Sequence, residues 1–481
     1  MLKYQKFLIP FFFLFYILLL CACGKQVSPE VIAEPTTVTM PDGSEIEKTV
    51  ESLDLGIYTD SDVQDLLPLI GKFTNLSAIN LGDESNLSAD GFVSIASSYP
   101  NLDYSYSFDF NRKNTDIKSE SLDIEGVADT SKLIKLLPYM KMLSNVHVGS
   151  EEESPISWNS FAEIVSANSN PVYDYSFTLY GESLNTSDTE IDLRKIPVDD
   201  SFAALRQVLP CMNKCTYTDI DGCIGHSDAE YELMAKLRDD FPDRGIVWRV
   251  FFSYNYSCRT DVETILCSAM DPYGDWGLKD DESSKPLTYC TKVKYLDVGH
   301  NNKMESIKFT SYMPDLEVLI IYHSNVKDLS PLANCKHLRY FEVGLCPIKD
   351  LSPLAECTEL TDLQMGNCIY LEDITPLYGL NLERLWLGNA TKVPQKQIDE
   401  FRKLHPDCEV NTTDNEVDST WRYKEVNQPI APNVYWPQYK EIREIFNYGE
   451  NGQGQNFSGY DPYYNNSHDN PPDPEKSARY R

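Results

Sequence analysis

Leu316, Leu338, Leu360 and Leu382 stand 22 residues apart, and Val293 lies 23 before the first. Each opens the same apolar spacing: Val293/Leu296/Val298, Leu316/Leu319/Ile321, Leu338/Phe341/Val343, Leu360/Leu363/Met365 and Leu382/Leu385/Leu387. A repeat this short holds one strand and one return, and it cannot bury an apolar face alone. Neighbouring repeats have to stack, which commits the stretch to a solenoid. Alternation along each short strand sends the Leu-type positions inward and the residues between them outward. The second halves echo as well, in Asp328-Leu329-Ser330-Pro331-Leu332, Asp350-Leu351-Ser352-Pro353-Leu354 and Asp373-Ile374-Thr375-Pro376-Leu377. Proline there suits the start of a tight return segment, where a missing N–H costs little. Eight residues after each opener sit Asn301, Ser324, Cys346, Cys368 and Ala390. A polar side chain at that position satisfies loop backbone groups that would otherwise be buried unpaired.

Over roughly residues 287–410 this pattern resembles the leucine-rich repeat, in particular its 22-residue internalin-like type. The resemblance implies an α/β solenoid, with parallel strands on a concave face and helices, 3-10 turns and loops on the convex side. It also implies a non-catalytic protein that binds a protein or glycan partner through the concave face. Pro394 followed by Ile398, Phe401 and Leu404 suits a helix that caps the last open repeat.

The earlier half repeats at a longer period. Pro100, Pro171, Pro242 and Pro314 are spaced 71, 71 and 72 residues apart. Behind the first three come the alternating runs Tyr104/Tyr106/Phe108, Tyr173/Tyr175/Phe177 and Ile246/Trp248/Val250. Two readings fit residues 47–260: units of about 70 residues, each made of two degenerate strand–helix turns of the same solenoid, or a separate α/β domain. The remaining divisions expected are a connecting insertion at 261–292, regular repeats at 293–410, and an extension at 411–450. Tyr439, Ile442, Ile445 and Phe446 give that extension one short amphipathic helix. Residues 451–481, rich in Gly, Asn, Pro and Asp, have the composition of a disordered tail.

The N-terminus carries an address. Lys3 and Lys6 precede an apolar run at 7–20, which is short for a membrane span of roughly 20 residues and reads as a secretory signal. Leu20-Cys21-Ala22-Cys23-Gly24 resembles the bacterial lipobox. On that resemblance residues 1–22 are removed, Cys23 is acylated, and residues 23–46 tether the ectodomain to the cell membrane. An uncleaved signal anchor is the other reading, and both export the rest of the chain.

Charge narrows the partners. Asp and Glu number 74 against 42 Lys and Arg, a net charge of −32 that repels phosphate backbones and excludes nucleic acid. None of the H-E-x-x-H, G-x-S-x-G, P-loop or dinucleotide-binding motifs occurs, and no cofactor is expected. Cys211, Cys215, Cys223 and His226 leave three readings open: a zinc site, a disulfide, or packing thiols. Cys335, Cys346, Cys357 and Cys368 stand eleven apart, half the repeat, which points to structural thiols at two repeat positions.

Subtracting core positions leaves the outward strand residues as the candidate recognition surface. These include Tyr295, Asp297, Ile320, Tyr322, Tyr340, Glu342, Gln364, Arg384 and Trp386. Tyr, Trp and Arg on a rigid sheet are frequent anchors of protein interfaces. The competing functional class is an exported hydrolase, or its substrate-capturing subunit, with a site in the 268–286 insertion.

Overall fold

The computed structural model describes residues 35–83, 86–127, 129–154, 156–252, 256–268, 278, 280–390, 392–412, 421–425, 434–446 and 448. The expected signal, Cys23 and the tail at 451–481 lie outside these residues. The chain divides into two compact units, Met1–Asp109 with Asn114–Ile117, and Phe110–Lys113 with Lys118–Arg481.

In the first unit, strands Ser52–Asp54, Ala78–Asp83 and Asp103–Phe110 pair in parallel. Their inward residues Leu53, Ile79 and Tyr104 are register partners and all are buried. Helices Val63–Ile70 and Ala89–Ser98 pack behind them, the second started by Ser88, whose hydroxyl accepts from the Gly91 N–H. Phe92 from that helix stacks on Tyr106 with ring centroids 4.5 Å apart.

The second unit first repeats this plan twice. Strands Ser121–Asp123, Asn145–Ser150 and Val172–Leu179 are parallel, and Glu182–Asn185 returns antiparallel to the last. Tyr180 (φ 51°) and Gly181 (φ 91°) make the turn in the left-handed region that two-residue hairpins require. Thr186 then seals the strand edge, its hydroxyl donating to Tyr173 O (2.8 Å) and accepting from Tyr175 N (3.1 Å). Strands Glu190–Asp192, Tyr217–Asp219 and Ile246–Val247 follow in parallel, and Arg249–Phe252 pairs antiparallel with Tyr256–Arg259. Thr260 repeats the part of Thr186, accepting at its hydroxyl from Trp248 N (3.3 Å). Each long period therefore ends in a hairpin that interrupts the parallel ladder. Neither reading of 47–260, two strand–helix turns per unit or a separate α/β domain, includes this hairpin. The alternating run Tyr173–Phe177 belongs to an eight-residue strand, long enough to carry a partner that a three-residue repeat strand has no room for.

From Thr264 onward the ladder is unbroken. Strands Thr264–Leu266, Tyr295–Asp297, Val318–Ile320, Tyr340–Glu342, Asp362–Gln364, Arg384–Trp386 and Glu409–Asn411 form one seven-stranded parallel sheet. The register joins Leu296, Leu319, Phe341, Leu363 and Leu385 in one row, each fully buried. This is the leucine-rich-repeat solenoid that the 22-residue spacing predicts. Its returns are 3-10 helices: Ser330–Asn334, Ser352–Glu356 and Thr375–Gly379. The carboxylates of Asp328, Asp350 and Asp373 accept from the N–H groups of Ser330, Ser352 and Thr375 at 2.8–2.9 Å. That bond explains the Asp-x-Ser/Thr-Pro signature, because the acid satisfies an N–H at the start of each return and the proline removes the next. Helix Gln395–Leu404 buries Ile398 and Phe401 against the end of the stack. Across the 261–292 insertion the register holds, Thr264 pairing with Tyr295.

Candidate functional site: the outward face of the seven-stranded sheet

Two rows of side chains point away from the core. The first runs Tyr295, Val318, Tyr340, Asp362, Arg384 and the second Asp297, Ile320, Glu342, Gln364, Trp386. On sequence grounds these residues face solvent. In the structure Asp297, Ile320, Tyr322, Tyr340, Glu342, Gln364, Arg384 and Trp386 are all buried, and Tyr295 is half-buried. The expectation of an open face is corrected by the extension that follows the cap.

Residues 421–425, 434–446 and 448 lie across the rows. Trp421, Tyr439, Ile442, Phe446 and Tyr448 join Leu266, Val318, Ile320, Tyr322, Tyr340 and Trp386 in a single buried apolar cluster. The helix Pro437–Ile445 supplies Tyr439 and Ile442 three residues apart on one side, as its amphipathic pattern predicts. A short antiparallel pair, Tyr423–Glu425 with Val434–Tyr435, precedes it.

The polar contacts are specific. Trp421 Nε1 donates to Tyr340 Oη (2.9 Å) and Glu342 Oε1 (3.0 Å), and the Tyr340 hydroxyl donates to the same carboxylate. Arg384 donates through Nε to Asp362 (2.5 Å) and through Nη1 to the Trp421 carbonyl (2.9 Å). Its guanidinium also lies 4.0 Å from the Trp421 ring centroid and 5.2 Å from that of Trp436. Arg339 grips Glu441 with two bonds, at 2.7 and 3.2 Å, while its Nε holds Glu317 at 3.1 Å. Arg422 sits 3.7 Å from Glu342, and the Tyr448 hydroxyl donates to Asp297. Burial pushes the Asp297 carboxyl up to about 6, against the pull of its bonds from Tyr448 and the Gly299 N–H.

The sequence reading missed Trp421, Arg422, Tyr448 and Arg339. A signal was present: two of the chain's six tryptophans, Trp421 and Trp436, fall in the extension with Tyr435, Tyr439, Phe446 and Tyr448. That density is high for a segment with nothing to cover.

Elsewhere the expected constellations resolve into packing. Cys211, Cys215 and Cys223 each direct Sγ to a different carbonyl, those of Trp158, Tyr217 and Leu193. Burial pushes the Cys211 and Cys223 thiols up to about 12. His226 packs on Phe251, and among the described residues no group of three or more His, Cys, Asp or Glu is placed to hold a metal ion. Cys335 and Cys357 reach the carbonyls of Thr310 and Leu332, and Cys346 and Cys368 those of Ile321 and Val343. Every one of these bonds spans 25 residues, so the elevenfold spacing is two interleaved structural ladders. Of the 268–286 insertion, residues 269–277 and 279 lie outside the described residues.

The early sheets keep a more open face. Asn80, Asn145 and His147 are exposed. His147 contacts Asp174 (3.1 Å) and Glu125 (3.5 Å), and both acids, with Asp174 foremost, raise its pKa. Asp219 is buried against Arg259 at 2.8 Å.

No protein-family model and no curated protein matches the chain. Among solved structures it is similar to an internalin from Listeria monocytogenes, at 16% identity over 78% of this chain and 86% of that one, with a TM-score of 0.26. A leucine-rich-repeat protein of Leptospira interrogans matches at 14% identity, covering 71% of this chain and 74% of its own, with a TM-score of 0.25. The functional domain of InlJ from Listeria monocytogenes, described as including a cysteine ladder, matches at 14% over 77% and 65%, with a TM-score of 0.23.

Proposed function

We propose that this chain is an exported, lipid-anchored, non-catalytic binding protein whose seven-stranded sheet captures a polypeptide segment. A single observation carries the reading: the sheet face already holds parts of the chain's own C-terminal extension, residues 421–425, 434–446 and 448, through Trp421, Tyr439, Phe446 and Tyr448. A Tyr, Trp and Arg surface with buried carboxylates suits an amphipathic protein segment better than a glycan, because its contacts are ring against ring and guanidinium against ring. Acylation at Cys23 is the proposed anchor, resting on the Leu20–Cys23 pattern behind a basic, apolar leader. Among the described residues no helix is long and apolar enough to cross a membrane. The partner proposed is a protein at the cell surface, and nucleic acid is disfavoured by the net charge of −32.

The test uses the whole chain with a protease site placed between residues 412 and 421. After cleavage and dilution, the released C-terminal peptide should leave the sheet and rebind saturably at one per chain. A cut chain that never releases the peptide under native conditions, or releases it and fails to rebind while its repeats stay folded, overturns the reading.

A further inference from the structure

The C-terminal segment covers the sheet face without satisfying all of it. Gln364 is fully buried, yet among the described residues neither its carbonyl oxygen nor its amide nitrogen has a hydrogen-bond partner. On the next strand, Trp386 Nε1 and Arg384 Nη2 are buried and without a hydrogen-bond partner among the described residues as well. The three residues share adjoining strands of one face: Gln364 is the register partner of Trp386, and Arg384 stands two residues before it. The other polar groups of the face are met: Asp297 by Tyr448, Glu342 by Trp421 and Tyr340, and Asp362 by Arg384. On the sheet side the deficit falls on these two strands, and in the covering helix Gln438 Oε1 is likewise buried without a partner among the described residues.

Gln364 is held there by packing. Its Oε1 lies so close to Gly344 that a Cβ at that position would come within 2.3 Å of it. Glycine at 344 thus makes room for a carboxamide that the covering segment does not use. Buried polar groups in native proteins are normally hydrogen-bonded, and leaving one unpaired weakens an association by about 5- to 100-fold.

We propose that these atoms are the recognition groups for the true partner, and that residues 421–448 act as a weaker, displaceable occupant of the same face. The proposal rests on the binding reading above. A carboxamide offers one acceptor and one donor group side by side, the complement of a main-chain N–H and C=O. Trp386 Nε1 and Arg384 Nη2 are both donors and ask for an acceptor. With the carboxylates of Asp297, Glu342 and Asp362 on the same face, a neutral main-chain carbonyl meets that need and an added carboxylate is repelled. The partner is therefore an extended, neutral or basic protein segment that docks its backbone on Gln364, Arg384 and Trp386. It displaces an amphipathic segment that docks by its rings.

The inference has a signed test in the full chain. Gln364→Met removes the unpaired carboxamide at similar volume. Hydrogen exchange of the amides in helix Pro437–Ile445 reports docking of the covering segment. Their protection should rise by about 5- to 100-fold in Gln364→Met. Unchanged or lower protection overturns the inference, because Gln364 would then be satisfied in the covered state, for instance through an ordered water. If those amides exchange only with global unfolding in the parent, the segment is not displaceable, and the binding reading itself falls. As a ligand probe, extended peptides selected on the full chain from a random 12-residue library should lose tenfold or more in affinity on Gln364→Met. Methylation of a single main-chain nitrogen should cost them as much. A selection yielding no binders, or binders indifferent to both changes, also overturns it.

Discussion

Trp421→Ala separates a docked segment from an integral part of the core. The indole is 1% exposed, donates to both Tyr340 and Glu342, meets Trp386 edge-on at 5.8 Å and underlies the Arg384 guanidinium at 4.0 Å. Deleting a buried tryptophan costs about 3–5 kcal/mol in lost transfer and cavity energy. The lost cation–π contact adds about 1 kcal/mol, and leaving the Glu342 carboxylate short of a donor adds roughly 1–3 kcal/mol. Where such a total exceeds the docking free energy of the covering segment, the segment is released. The visible loss is then capped at the docking free energy itself, since the segment simply leaves and water reaches Glu342. Hydrogen exchange should show helix Pro437–Ile445 falling to the rates of an unprotected peptide. Amides of Leu319, Phe341 and Leu363 should keep their protection within about a factor of two, these being the continuous core row. Trp421→Phe keeps one six-membered ring but loses the N–H and the rest of the indole, so it should cost less than Trp421→Ala, with a partial loss of protection. Core amides that open together with the helix in Trp421→Ala would refute the reasoning. So would a helix that stays protected.

Three further outcomes are expected. Leu363→Asp places a charge in the buried middle row between Phe341 and Leu385 and should lower stability by several kcal/mol in thermal melts; an unchanged Tm would show that the register is wrong. Docking of 421–448 should strengthen as pH falls: the covered Asp297 titrates at about 6 against 3.8 for an ordinary carboxyl, so the docked form takes up a proton through that window. The gain is absent above about pH 7, and between pH 7.5 and 5 it amounts to roughly tenfold in the docking equilibrium. Asp297→Asn should abolish that dependence, and a slope surviving in it would refute the assignment to Asp297. Cys23→Ser should eliminate labelling by a fatty-acid analogue and leave the precursor uncleaved, and a still-labelled variant would remove the proposed anchor.

The parts of the fold legible in the sequence are those fixed by local spacing. Leucine every 22 residues places Leu319, Phe341, Leu363 and Leu385 in one row because the strand alternates and the return is always of one length. Asp-x-Ser/Thr-Pro reads as a return because each residue in it has a local partner or a local reason. The 70-residue period was visible, but its hairpin was not. Tyr180-Gly181 is an unusual pair for a tight turn, and the alternation of Tyr173–Phe177 looks the same with an antiparallel partner as with a parallel one. The cover on the face was hidden for a different reason. Tyr340 and Trp386 have the same residue types and phase whether they meet solvent, a partner or their own chain, and Trp421 is 81 residues from Tyr340. No pattern of short range carries that contact.

A covered face changes what a partner must achieve. Residues 413–420 join the covering segment to the solenoid in sequence, and a covalent link of that length places the two at an effective concentration on the order of millimolar. A free partner at micromolar concentration competes only if its intrinsic affinity exceeds that of the segment by about a thousandfold, because the apparent affinity falls with the fraction of chains left open. Unpaired atoms at Gln364, Arg384 and Trp386 work against the segment and in favour of a ligand that meets them. Three such groups met together supply a discrimination of the size the tether demands, at about 5- to 100-fold each. The same cover keeps Tyr322, Tyr340 and Trp386 from presenting an apolar patch that would take up any amphipathic chain. Selectivity then comes from what the segment fails to satisfy, and a segment fitted to every polar atom of the face would shut it for good.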